Sequence, residues 1–414
     1  MSDHWSPERS EPQSVGPPRR RLSRAARAQE RRTARRRRVF SVAALVTLAV
    51  VVIGVVFVGS KMWHGLFGGT SDFAGDGTAD VVIEVHSGDS TTAIGQTLQE
   101  QNVVSSSKAF VEAAASNPAI AAIQPGFYKL RTEIPASSAV QKLADPENRV
   151  GQMVIPEGRQ LDDVADVKTN AVTKGILSLI SDASCVDLDG TRACVSADDL
   201  KLAAGTADPA ALSVPGWANS GVTEMGSDHR RLEGLIAPGS WNVNPSGSAE
   251  EILASLIGAS TAQYEANGLL AAAETTQMSP YEILIVASLV QRESKPQDFS
   301  KVARVIFNRL AENRKLEFDS TVNYSLDRTE IATTDGDRAR VTPWNTYASL
   351  GLPKTPICSP GQPALAAAEN PEPGDWLYFV TIDMQGTTLF TRDYEQHLAS
   401  IELARNNGVL DSAR

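Results

Sequence analysis

From Ile283 to Val290 the chain reads Ile-Leu-Ile-Val-Ala-Ser-Leu-Val, and the residues around this run are helix signals. Ser279 and Glu282 have the spacing of a capping box, and Pro280 takes the first helical position, where its missing N–H costs nothing. A helix that is apolar on nearly every face has no side to turn to water, so the rest of its domain must enclose it. The helix leaves the core through Gln291, Arg292 and Glu293, and Pro296 stops it. A carboxylate in that last turn meets the negative end of the helix dipole and apolar surroundings, and both raise its pKa. Arg292 and Lys295 act in the other direction. On position alone Glu293 is either a general acid or an exposed charge in a last turn.

The beginning of the chain obeys different rules. Residues 1–38 hold twelve Arg against four Asp or Glu and almost no apolar residues, which reads as a disordered basic tail. Residues 39–60 follow as a transmembrane helix: Val39 to Gly59 is a continuous apolar run, long enough at about 1.5 Å per residue to cross a hydrocarbon core about 30 Å thick. Arg35-Arg36-Arg37-Arg38 places the N-terminus in the cytoplasm, and Trp63 suits the outer interface. A cleaved signal peptide fits less well, since the apolar run is long and no A-x-A site follows it. The expected location is the plasma membrane, single-pass, with the remaining chain outside the cytoplasm. The tail carries +8 of a whole-chain charge of −10, so the remainder is near −18. An acidic ectodomain argues against nucleic acid as a partner and leaves the tail for anionic lipid headgroups.

Residues 61–80, with Gly, Asp and Thr from Gly68 onward, form a linker. Residues 81–150 read as a small module: a strand at Val82 to Val85, a turn at His86-Ser87-Gly88-Asp89-Ser90, a helix with Ile94 and Leu98, a second helix from Phe110 to Ala115, and a strand from Gly126 to Leu130. Its opening resembles that of LysM modules, a resemblance that implies glycan binding; a plain structural spacer is the other reading. Residues 151–414 form the larger mixed α/β domain. Met153 to Arg159 echoes a strand and Gly turn leading to a helix with Leu161, Val164 and Val167, and residues 180–230 read as an elaborated loop insertion. Ser248 and Glu251 begin another helix, and Trp376 to Ile382 with Thr388 to Thr391 make a hairpin, followed by His397. The fold class is α+β. Cys185 and Cys194 enclose a short loop and are a disulfide candidate, leaving Cys358 alone. No Cys/His cluster has zinc spacing and no H-E-x-x-H occurs, so neither a metal nor another cofactor is expected.

Several ordered motifs carry a family resemblance. Ala287-Ser288-Leu289-Val290-Gln291-Arg292-Glu293, followed by Lys301 to Leu310, resembles the catalytic segment of the endolytic murein transglycosylases, the YceG-like family. Leu316 to Tyr324, then Asn345-Thr346-Tyr347, Gly351-Leu352-Pro353, Pro356-Ile357 and Ser359-Pro360-Gly361, continue the pattern in order, and Leu232-Glu233-Gly234 with Pro238 matches it upstream. Leu235-Ile236-Ala237 replaces part of that upstream motif, and Trp344 and Ser359 stand where Tyr and Asn are usual.

The resemblance implies a lytic transglycosylase that cuts the β-1,4 bond between N-acetylmuramic acid and N-acetylglucosamine in peptidoglycan and leaves 1,6-anhydro ends. Glu293 would serve as both acid and base. Its expected partners are nascent glycan strands, the membrane, and the peptidoglycan synthases or elongation and division machinery. Asp319, Thr321, Asn345, Thr346 and Tyr347 are sugar-contact candidates, because hydroxyl and amide groups suit sugar hydroxyls and acetamides. Trp241, Trp344 and Trp376 fit the core better than sugar platforms. A second carboxylate, with Glu233 first and Asp319 behind it, would allow hydrolysis by a muramidase instead. A non-catalytic glycan-binding scaffold is the reading from a different class.

Overall fold

The computed structural model describes residues 72–166, 169–326, 328–329 and 333–409. The basic tail and the apolar run of residues 39–59 lie outside them. Among the described residues no helix is long and apolar enough to cross a membrane.

Two hydrophobic clusters organise the chain. The smaller begins with strand Asp80–Val85, antiparallel to Gly126–Arg131, with Arg149–Val150 on the second strand's other edge. Helices Thr91–Glu100 and Ser107–Ala115 lie between the strands in sequence, each started by a serine, Ser90 and Ser106, whose hydroxyl accepts an N–H of the first turn. Ile83, Leu98, Phe110, Tyr128 and Leu130 fill the interior, and a third helix, Ala136–Ala144, closes it with Val140 and Leu143. The sequence pattern gave no sign of this third helix.

The larger cluster surrounds helix Pro280–Glu293, in which every residue from Ile283 to Val290 is buried. Its start is a complete capping box: the Glu282 N–H donates to Ser279 Oγ and the Ser279 N–H donates to Glu282 Oε2. Helices Leu269–Thr276, Phe299–Ala311, Asp319–Asn323 and Gln362–Glu369 pack around it. Strands are few and short. Gln152–Ile155 pairs antiparallel with Gly239–Asn242, and Tyr378–Thr381 with Thr388–Thr391.

Two readings of the sequence change here. After Met153 to Arg159 the chain does not form a helix through Leu161 and Val164; it forms strand Val164–Asp166, while Leu161 turns inward. The region 180–230 is more ordered than a loop. It holds helix Ala197–Thr206, capped by Ser196 and anchored by Leu200 and Ala204, and helix Asn219–Glu224. It also holds the hairpin Val186–Leu188 and Thr191–Ala193, which turns through Asp189 and Gly190 at positive φ. Cys185 and Cys194 are disulfide-bonded across the base of that hairpin. Its tip meets the smaller lobe: the Asp80 N–H donates to the Asp189 carboxylate, the Asp189 N–H donates to the Asp80 carboxylate, and Lys129 Nζ donates to the Asp187 carbonyl.

Arg309 ties Phe299–Ala311 to the hairpin near the C-terminus. It is buried, and its guanidinium donates to the Leu377, Lys315 and Leu316 carbonyls. Replacing it with Leu leaves these carbonyls without donors. Arg309→Leu is expected to lower stability by about 3 kcal/mol, read as a lower urea midpoint at unchanged slope.

Candidate active site

The C-terminal half of the enclosed helix is pinned by the segment from Pro356 to Gly361. The Ile357 N–H donates to Ser288 Oγ (3.0 Å), the Cys358 thiol donates to the Ser288 carbonyl (3.4 Å), and the Gly361 N–H donates to Gln291 Oε1 (2.9 Å). Gly234, at φ +76°, lets the upstream turn pass under this segment, because a Cβ there would stand 2.6 Å from Pro356 Cβ.

Glu293 closes the helix half-buried, and its pKa is pushed up to about 7. Burial is the main cause, and the charge of Asp319 adds to it; the Ser320 hydroxyl and N–H and the Arg292 guanidinium favour the ionised form but do not offset it. The neighbouring chain is held by Asp319, whose Oδ1 accepts from Thr333 Oγ1 (2.7 Å), Tyr347 Oη (2.9 Å) and Arg338 Nη2 (3.1 Å). Burial, then the nearby Asp319 and Glu293 charges, keep the Tyr347 hydroxyl protonated. Lys295 Nζ donates to the Gln385 carbonyl (3.3 Å), so the tip of the last hairpin stands beside the turn that follows Glu293.

The other sugar-contact candidates face inward. Thr321 and Thr346 are buried and bond to each other (2.9 Å), with Thr321 donating to the Phe318 carbonyl and the Phe318 N–H donating to Thr346 Oγ1. Asn345 is buried too: its Nδ2 serves the Asp337, Arg338 and Arg340 carbonyls and its Oδ1 accepts from the Tyr347 and Ala348 N–H groups. These three side chains shape the loop and offer no polar group to a ligand. Asp319 and Tyr347 remain at the surface of the site. Ser320, Thr333 and Arg338 are additions. Ser320 sits between two candidates in the sequence, whereas Thr333 and Arg338 lie in a stretch with no period to single them out.

Glu233 does not open onto the site. It is 1% exposed and accepts from Tyr324 Oη (2.6 Å) and the Leu161 N–H (3.1 Å). Burial pushes its pKa up to about 8 against the pull of these donors. It joins three chain segments from within, and a sugar cannot reach it. Trp344 is buried, donates to Thr355 Oγ1 and packs edge-on to Tyr324. Trp241, partly buried, donates to the Ala237 carbonyl. His397 stacks on Tyr378 at 4.9 Å. Among the described residues no group of His, Cys, Asp and Glu could hold a metal ion.

A cleft of about 600 Å³ lies elsewhere, between the smaller lobe and residues 240–259.

The sequence profile of the YceG-like family matches residues 83–403. The chain belongs to this family. Among relatives, the endolytic murein transglycosylase of Bacillus subtilis is 26% identical over 328 residues, covering 78% of this chain and 84% of the relative. The endolytic murein transglycosylase of Streptococcus pneumoniae serotype 2 is 22% identical over 343 residues, 77% of this chain but 57% of the longer relative. A crystal structure of a YceG-like protein from Listeria monocytogenes aligns with 77% of this chain and 98% of its own at 23% identity, with a TM-score of 0.49.

The raised pKa of Glu293 has a consequence for stability. The folded chain holds this proton more tightly than the unfolded chain, so the contribution is fully present below about pH 4.5 and is lost as the pH rises through about 7. Above that, a buried charge is a cost that Gln would not carry. Glu293→Gln is expected to be more stable than the wild type by on the order of 1–3 kcal/mol at pH 8 and equal to it near pH 4, read from urea midpoints at the two pH values.

Proposed function

We propose that this chain is a membrane-anchored endolytic murein transglycosylase in which Glu293 is both general acid and general base. The observation that carries this reading is a carboxyl group poised near neutral pKa at the end of the enclosed helix, in the segment that resembles the family's catalytic one, in a chain of the YceG-like family. Such a group is protonated often enough to donate and basic enough, once ionised, to take a proton back.

The protonated Glu293 gives its proton to the glycosidic oxygen as the bond from C1 of N-acetylmuramic acid to that oxygen breaks. The electron pair leaves with N-acetylglucosamine, whose 4-hydroxyl is formed. Positive charge gathers at C1 and the ring oxygen, and the Glu293 carboxylate, with Asp319 beyond it, stabilises it. The C6 hydroxyl of the same ring then attacks C1 while Glu293 takes its proton, which closes a 1,6-anhydro ring and restores the acid. No water is consumed, and the second step needs only orientation because both reacting atoms belong to one sugar.

Hydrolysis would need a second carboxylate free to activate water or to attack C1. Glu233 is sealed inside, and Asp319 Oδ1 is held by three donors, which favours the single-acid route. The apolar run of residues 39–59 behind four arginines supports an anchor in the plasma membrane with the enzyme outside, next to strands as they are made. The strand, helix, helix, strand order of the smaller lobe supports the LysM-like, glycan-binding reading of residues 81–150. In this setting the enzyme would limit strand length beside the synthases of the elongation or division machinery.

The full-length chain in detergent, incubated with uncrosslinked glycan strands, is expected to release products whose ends are lighter by one water. Glu293→Gln is expected to lower kcat/KM by about 10³-fold, and the wild-type kcat/KM to fall as the pH rises above about 7, where the acid is lost. Reducing ends in the mass spectrum would turn the assignment to a muramidase, and uncut strands would turn it to a scaffold.

A further inference from the structure

N-acetylmuramic acid carries its peptide stem on an ether at C3, two ring carbons from the bond to be cut. With Glu293 at the glycosidic oxygen, a stem on the reacting sugar would leave the ring within reach of the last turn of the helix that ends in Glu293. A cleft of about 360 Å³ lies against this turn. Arg292, the residue before Glu293, forms one wall, and the loop from Glu157 to Gln160 forms another, with Val164 to Asp166 and Thr173 behind. The loop touches the same turn: a Cβ on Gly158 would stand 3.5 Å from Gln291 Cγ.

The charges in the cleft are not equally committed. Asp162 is ion-paired with Lys201 (2.7 Å) and His229 (2.8 Å). Asp166 accepts from the Thr169 N–H and hydroxyl (2.7 and 2.8 Å), and the Glu157 carboxyl lies against Gly361, where a Cβ would stand 2.2 Å from its Cδ. Arg159 spends one of its N–H groups on the Lys174 carbonyl (2.9 Å), and Arg292 is exposed at the rim. Asp162 and Asp166 thus serve the protein's own contacts and Glu157 stands exposed beside Gly361, while the two planar guanidinium groups of Arg159 and Arg292 line the cleft, and their paired donors are suited to receive an anion. The backbone of the loop is fixed independently of these side chains, since the Gly158 N–H donates to the Ser359 carbonyl and the Ser359 N–H to the Arg159 carbonyl, each at 2.8 Å.

We infer that this cleft is a subsite for the peptide stem of the muramyl residue at the cleavage point, whose carboxylates are received by Arg159 and Arg292. The inference rests on the proposed function. Stem carboxylates can be converted to neutral methyl amides without changing the glycan, so the two substrates differ only at those groups. The wild type, full-length in detergent, is expected to show a KM about tenfold lower for strands with free carboxylates than for amidated strands. In Arg159→Ala that ratio should fall close to one, and in Arg159→Lys, which keeps the charge without the fork, it should be intermediate. Equal KM values in the wild type, or an unchanged ratio in Arg159→Ala, overturn the subsite and leave the transglycosylase assignment standing. Absence of anhydro ends from both substrates overturns the assignment itself and the subsite with it.

Discussion

A helix buried on every face has a weakness: hydrophobic burial is non-directional, so the helix could rotate about its axis and lose little of it. What sets the rotation of Pro280–Glu293 is a small set of hydrogen bonds in otherwise apolar surroundings, from the Ile357 N–H to the Ser288 hydroxyl and from the Gly361 N–H to the Gln291 amide. Each costs much to break because the freed groups would stay buried. Ser288 and Gln291 are three apart, on one face. The same face is pinned twice, and the direction in which Glu293 leaves the helix follows from that.

Three carboxyl groups in this domain, Glu233, Glu293 and Glu369, have pKa values far above the ordinary range, and burial leads in all three. Their surroundings give them different uses. Glu233 is closed off by the Tyr324 hydroxyl and the Leu161 N–H, and its proton has no exit to a ligand. Glu293 stands at the edge of the core with Ser320 beside it and part of its surface open. A shifted pKa marks all three, and access sets Glu293 apart from Glu233.

Much of this was legible in the sequence. The capping boxes at Ser279 and Ser248, the enclosed helix and the last hairpin lie where periodicity and end signals put them, because each signal is local. The placement of Glu293 at a helix end and the rise in its pKa were legible from the apolar run and the proline that stops the helix. What sequence could not give was the direction of side chains on irregular backbone. Thr321, Asn345 and Thr346 have the chemistry to bind sugar, and that same chemistry satisfies buried loop backbone. Helix Ala197–Thr206 was missed because only Leu200 and Ala204 among its apolar residues reach the core, too few to make a period.

The disulfide-closed hairpin between Cys185 and Cys194 belongs in sequence to the larger domain, yet its tip exchanges hydrogen bonds with Asp80 and Lys129 on the smaller one. A lobe of that size buries little surface when it folds alone and gains from leaning on a neighbour. The hairpin makes its folding depend on the larger domain, so that the two tend toward one cooperative unit. The thiol chemistry of the compartment thus acts on the stability of a lobe that contains no cysteine: a reductant would loosen the brace and reach the lobe at one remove.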